Sequence, residues 1–380
     1  MSGWGYEPRP PIGYSVGMHS VRLAALLGAV LATAGVTAAE RQTANVVLIT
    51  LDGVRIEEIF GGLDEVVARS IVTKGVPEDS ALWQRYWAPT AQGRRRKLMP
   101  FLWGTLLLDH GTIVGNQAAG SVMQVTNRHR FSYPGYAEIA TGAAHDAEID
   151  SNDNRRNPFP TVLEVIRRED GFDPREVATF ASWETFRWIV EHEEGATTVN
   201  AGLQAYEHPD RDVQLLSDWQ FRARTPWDGA RHDAYTLRFA RAHLATYHPR
   251  LLWIALDETD DWAHDGRYDR VLDSLSRFDA ALADLWGWLQ ADGQYRDKTT
   301  ILITTDHGRG HGPTAWRDHG SDVEGAQDVW LAMAGPDVTR RGEWRDSPAV
   351  YQNQIAATIA SLLGVDYLRA VPGAGRPFLP

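Results

Sequence analysis

Three apolar, β-branched runs in this chain each end in an acid. Asn45 to Leu51 stops at Asp52-Gly53, Leu252 to Leu256 stops at Asp257, and Thr299 to Thr305 stops at Asp306-His307-Gly308. Unbroken apolar runs of this kind are what strands buried on both faces of an α/β sheet require. Such sheets bind ligands at the carboxyl ends of their strands, so the three acids are expected along one edge.

Shorter runs predict further strands at Thr112 to Gly115, Val177 to Ala181 and Asp328 to Met333. Val271, Leu275, Phe278, Leu282 and Leu285 recur at three- and four-residue steps and predict a helix over Tyr268 to Leu289. A second helix is expected over Gln352 to Leu363, ended by Gly364. Alternating elements of this kind indicate an α/β fold in layers, a mostly parallel sheet flanked by helices. Hydrophobic residues make up 43% of the 380, enough to bury a large core. No repeat or Ser/Gly linker divides the chain, so residues 40–380 read as one domain. An insertion is expected around residues 186–232, where Trp, Glu, His and Asp mix without periodicity. The cluster Arg94-Arg95-Arg96-Lys97 reads as a solvated loop.

Ahead of this domain, Met18-His19-Ser20-Val21-Arg22 precedes an apolar stretch from Leu23 to Val36 and the small residues Thr37-Ala38-Ala39. A basic start, a short apolar core and a cleavage site predict that residues 1–39 are an N-terminal extension and signal peptide. The expected destination is the periplasm or the exterior, with no stable membrane insertion after cleavage. A formal net charge of -12 argues against a nucleic-acid duplex as partner. Small anions stay compatible, because bound cations reverse the local sign of a site. Cysteine is absent, so any metal must rely on nitrogen and oxygen ligands, and a thiol nucleophile is excluded.

Asp260 and His264 are four residues apart, a spacing that puts both on one face of a helical turn. Asp306 and His307 follow a buried strand, and Gly308 permits the sharp turn that would let both reach one ion. Asp318-His319-Gly320 adds another imidazole, for which His311 competes. With Asp52, these residues supply three carboxylates and three imidazoles, enough for two divalent cations side by side. Each acid alone could serve as a helix cap; three such junctions with three histidines favour the metal reading. Ser132 stands at the start of a short helix in Phe131-Ser132-Tyr133-Pro134-Gly135-Tyr136, beside backbone N–H groups suited to an oxyanion. Its hydroxyl is a nucleophile candidate, since a coordinated cation would lower its pKa.

The order Asp52, Ser132 before Pro134, Asp260-xxx-His264, Asp306-His307-Gly308 and His319-Gly320 resembles the alkaline phosphatase superfamily, closest to its nucleotide pyrophosphatase/phosphodiesterase branch, with sulfatase-like relatives beyond. The resemblance runs from about Asn45 to Leu363 and implies an alkaline phosphatase-like three-layer sandwich. It further implies one metal site of Asp260, His264 and His319, and another of Asp52, Asp306 and His307. Ser132 would bridge both as nucleophile, with two divalent ions, zinc first and manganese or iron as alternatives. An asparagine that holds phosphoryl oxygens maps onto Asn152, with Asn154 as rival. The implied substrate is a small phosphate ester, a diester ahead of a monoester, cleaved through a phosphoserine. A phosphotransferase or mutase, a sulfatase-like enzyme and a catalytically silent metal-binding homologue are the alternatives. A conventional sulfatase fits poorly, because Tyr136 stands where the formylglycine motif needs arginine.

Overall fold

Hydrophobic and β-branched side chains on both faces of Asn45–Leu51 make this strand the centre of the molecule. The computed structural model describes residues 1–5, 7–13, 41–72 and 75–379. Two compact units are distinguished, Met1–Glu40 and Arg41–Pro380. The described residues of the first are exposed and irregular, and the expected signal segment from Met18 to Ala39 lies outside the described residues.

Among its described residues the second unit contains ten strands: β1 (Asn45–Leu51), β2 (Gly111–Val114), β3 (Met123–Gln124), β4 (Val177–Ala181), β5 (Thr198–Ala201), β6 (Leu251–Leu256), β7 (Thr299–Thr304), β8 (Leu331–Ala334), β9 (Gly342–Glu343) and β10 (Val350–Tyr351). Eight of them form one sheet in the order β5-β4-β6-β1-β7-β8-β2-β9, and β10 pairs with β3 in a small second sheet. Neighbours from β5 to β7 are all parallel, and β8 runs antiparallel to both β7 and β2. This is the α/β architecture expected, a mostly parallel sheet between helices.

Alternation along β1 sends Val47, Ile49 and Leu51 to one core and Val46 and Leu48 to the other. The first core packs the long helix Tyr268–Ala291, whose Val271, Leu275, Phe278, Leu282 and Leu285 are all buried against the sheet. The second holds the helices Ser132–Thr141, Val162–Asp170 and Ile355–Leu362. Two apolar faces covered by helices give the three layers.

Register does the positioning. Leu51 pairs with Leu256 and Thr50 with Thr304, so Asp52, Asp257 and Asp306 leave the sheet at one level. The three acids of the sequence pattern therefore emerge together at the carboxyl edge, as such sheets require.

Several local expectations are corrected. Strand β8 begins at Leu331, not Asp328, because Asp328 and Val329 pair with β3 instead and Trp330 turns its indole N–H to the Val54 carbonyl at 3.1 Å. Residues 352–354 form a tight 3-10 turn, and the helix proper begins at Ile355. The basic cluster lies in a helix, Ala91–Leu98, and Arg95 is buried: it stacks 3.6 Å over Trp103 and pairs with Glu343 at 3.1 Å. Its neighbours supply the partners that solvent would otherwise provide. Within the 186–232 segment, β5 is an edge strand of the main sheet, paired along its length with β4. No helix among the described residues is long and apolar enough to cross a membrane.

The Ser132 helix is pressed onto the turn after β7. A Cβ on Gly135 would lie 2.4 Å from the Asp306 carbonyl oxygen, and Gln352 donates to both the Gly135 and Asp306 carbonyls at 3.0 and 2.8 Å. Gly135→Ala is expected to destabilise the protein by about 1–3 kcal/mol in spite of alanine's better helix propensity, because backbone cannot yield as a side chain would. Denaturant unfolding of the variant beside the wild type measures this.

Candidate metal centre

Asp52 leaves β1 into a turn in which Gly53 adopts φ +59, and a Cβ there would meet Asp260 Oδ1 at 2.6 Å. Only glycine combines that backbone with so close an approach. Asp260 and His264 lie on the helix Glu258–His264 after β6, with His264 Nε2 3.2 Å from Asp260 Oδ2. Asp306 and His307 form the turn after β7, and Asp306 Oδ1 accepts from the Gly53 N–H at 3.1 Å. His319 comes from the loop that follows; its Nε2 is 3.0 Å from His264 Nε2 and 3.8 Å from Asp260 Oδ1.

The structure thus brings together two triads, Asp260 with His264 and His319, and Asp52 with Asp306 and His307. In each, one potential ligand atom per residue lies within 4.8 Å of the others. His307 Nε2 joins them: it is 3.4 Å from Asp52 Oδ1, 3.4 Å from Asp306 Oδ2 and 3.8 Å from Asp260 Oδ1. His307 Nδ1 donates to the Gly308 carbonyl at 2.9 Å, which directs Nε2 at the cluster.

Ser132 is the first residue of its helix, buried, with Oγ 3.4 Å from His307 Nε2. Asn152 Oδ1 accepts the N–H of Tyr133, the residue after the serine, at 2.9 Å. Asn154 instead accepts from Thr185 Oγ1 at 2.8 Å, so of the two it is Asn152 that bonds to the residue beside the serine. His311 stands outside both triads, with Nδ1 2.6 Å from Glu57 Oε1. His129 and His145 support loops: His129 Nε2 lies 2.9 Å from the Asp146 carbonyl, and His145 stacks on Phe159 with ring centroids 3.6 Å apart.

The electrostatics of the site are those of a cage short of positive charge. Burial, reinforced by the adjacent Asp52, pushes Asp306 up to about 8. Burial opposes a charge on His307, but Asp306 and Asp52 outweigh it and raise the imidazole to about 9. Burial, together with His307 and Arg309, drives His319 far below the usual imidazole range. Asp52 Oδ1, Asp306 Oδ2 and His319 Nδ1 are buried with no hydrogen-bond partner. Buried polar atoms without partners are rare in folded proteins and call for an explanation. Divalent cations fit: carboxylate oxygens and imidazoles suit zinc, and manganese or iron can use the same donors.

Two residues that bond to the carboxylates of the cluster, Tyr136 and Arg309, were not expected there from the sequence. Tyr136, fully buried, donates its hydroxyl to Asp52 Oδ2 at 2.9 Å. Burial and the charges of Asp306 and Asp52 hold this phenol well above its ordinary range, so it stays a donor. It lies one helical turn beyond Ser132, and that spacing was the available clue. Arg309 is buried, donates to Asp260 Oδ1 and to the Asp260 and Arg317 carbonyls, and is lowered by burial to about 10. Asp257 and Asp261 stand behind the cluster, and burial raises both, Asp261 to about 6.

Comparisons with known proteins bear on the fold and on the family. The fold is shared with the wild-type alkaline phosphatase PafA at a TM-score of 0.56 and 10% identity, covering 87% of this chain and 97% of that one. The lipoteichoic acid synthase LtaP from Listeria monocytogenes is similar at a TM-score of 0.53 and 12% identity, over 90% of this chain and 75% of that one. A phosphonate monoester hydrolase from Silicibacter pomeroyi gives 0.51 and 14%, over 88% and 76%. These place the chain in the alkaline phosphatase-like fold class. Residues 160–360, more than half of the chain, match the family described as type I phosphodiesterase / nucleotide pyrophosphatase, and the chain belongs to that family. The match takes in Asp260, His264, Asp306, His307 and His319; Asp52 and Ser132 precede it. No curated protein matches in sequence.

If Tyr136 orients Asp52 for a metal, Tyr136→Phe should weaken zinc binding by roughly 10–100-fold, the usual effect of removing such a supporting bond. The ring would still pack on Phe186, whose centroid is 4.5 Å away. Calorimetric zinc titration with a circular dichroism control reads the two effects separately.

Proposed function

We propose that this chain is an exported two-metal phosphohydrolase that cleaves phosphodiesters, ahead of phosphomonoesters, through a phosphoserine on Ser132. The observation that carries the reading is the place of Ser132 Oγ, 3.4 Å from the imidazole that joins two triads of metal-type ligands. Asp260, His264 and His319 would hold one ion and Asp52, Asp306 and His307 the other. Two bound cations would supply the positive charge that lowers the pKa of a hydroxyl or water and neutralises phosphoryl oxygens.

The chain's own residues account for the rest. Ser132 Oγ bonds to phosphorus as the P–O bond to the alcohol breaks, and the serine proton leaves on that alcohol. Water then adds to phosphorus, which releases the serine and returns its proton. The helix that begins at Ser132 directs its amino end, a region of partial positive charge, at the entering phosphate. Asn152, fixed through Oδ1 on the Tyr133 amide, keeps its Nδ2 donor for a phosphoryl oxygen. Tyr136 speaks against sulfatase chemistry: the place that needs arginine carries a phenol committed to Asp52. The leader-like segment supports export.

Purified protein supplied with zinc should hydrolyse bis-p-nitrophenyl phosphate. Ser132→Ala should lower kcat/KM by about a thousandfold or more while zinc still binds; equal turnover in the variant would refute the nucleophile. Asn152→Ala should cost roughly 10–100-fold in kcat/KM, with Asn154→Ala close to wild type. Chelation should abolish turnover, and added zinc should restore it. Steady-state kinetics of the four preparations provide the check.

A further inference from the structure

The helix that carries Asp260 and His264 is short, the seven residues Glu258–His264. A helix of that length is marginal by itself, so its place depends on what holds its ends. Asp257, its N-cap residue, makes no side-chain bond to the first turn. The acceptor comes from elsewhere in the chain. Asp233, the first residue of the helix Asp233–Tyr247, accepts the Asp257 amide on Oδ1 at 2.9 Å and the Glu258 amide on Oδ2 at 3.3 Å. Ser182, which follows β4, donates to the same Oδ1 at 2.6 Å.

The arrangement is reciprocal. His232, the N-cap of the Asp233 helix, also makes no side-chain cap bond, and it is Glu258 Oε1 that accepts the Asp233 amide, at 3.2 Å. Each helix start thus supplies the carboxylate that the other lacks, and orphan amides of a first turn need such acceptors. Glu258 Oε2 extends the tie to the long helix, accepting from Ser274 Oγ at 3.2 Å and Arg277 Nη2 at 3.1 Å. The clamped turn stands two residues ahead of Asp260, yet neither Asp233 nor Glu258 belongs to either triad. From the site side, Thr259 Oγ1 donates to the Asp52 carbonyl at 2.7 Å, so loss of Asp233 would loosen the helix only in part.

We infer that Asp233 is a positioning residue for the metal site of Asp260, His264 and His319, acting through the backbone of the short helix and not on the ion. The inference rests on the two-metal reading and adds to it the residue that sets the geometry of one site. Calorimetric zinc titration of the full chain tests it without any need for turnover, with His264→Ala identifying which binding step belongs to this site. Asp233→Ala should weaken that step about tenfold, the lower end of what loss of a supporting partner does to metal affinity, and leave the other within about twofold. Asp233→Asn, which keeps one acceptor oxygen, should weaken it about threefold. A residue that served overall stability alone would lower the unfolding midpoint without separating the two steps. Wild-type affinity at the His264 step in the folded variants, or equal weakening of both steps, would overturn the inference; should Asp233→Ala fail to fold, Asp233→Asn decides alone. Fewer than two zinc ions bound by the wild type would overturn the two-metal reading itself and this inference with it, so the two failures are distinguishable.

Discussion

Negative charge forced out of water is the constraint on which this molecule turns. Asp52 and Asp306 are each 1% exposed or less, Asp260 is 8% exposed, and all three converge on a single imidazole nitrogen. Carboxylates cannot be buried this way unless something compensates them. Part of the compensation is built in: the Gly53 amide on Asp306, the Tyr136 hydroxyl on Asp52, and Arg309 on Asp260. The oxygens left without partners define what a cation must supply.

The scaffold keeps this arrangement in place by tying the nucleophile's helix down at several points. Glu138, fully buried on that helix, accepts from the Thr126 and Asn127 amides and from both of their side chains, all at 2.8 to 3.0 Å. Asn127 in turn accepts the Arg130 amide at 2.8 Å and so fixes a residue with φ of 56 just before Ser132. A non-glycine residue in the left-handed region persists where its surroundings over-determine it. The approach to the serine is thus set by backbone, carboxylate and amide, and not by the serine alone.

The acids at the strand ends were legible in the sequence because burial on both faces leaves an unmistakable apolar run, and the sheet's polarity then fixes where the run ends. Fold class followed from the same pattern. The strands β3, β9 and β10 were not legible, since two residues carry no periodicity, and β5 lies in a stretch of mixed polar and charged residues that masks its four-residue pattern. Arg95 and Arg309 were missed for another reason. Arginine is ordinarily solvated, and only tertiary neighbours such as Trp103, Glu343 and Asp260 reveal one held inside. Both His311 and His319 precede glycine, and the resemblance alone favoured His319; the path of the loop sets His319 in the triad and His311 against Glu57.

Arg309 also makes the two triads unequal. One contains a single carboxylate already matched by a guanidinium; the other contains two carboxylates with no arginine bonded to either among the described residues. A guanidinium beside Asp260 would oppose a dication there, an opposition that neither Asp52 nor Asp306 meets from a bonded arginine among the described residues. Were two cations to bind as proposed, the two sites would fill unequally, and at limiting metal a half-filled form would be populated.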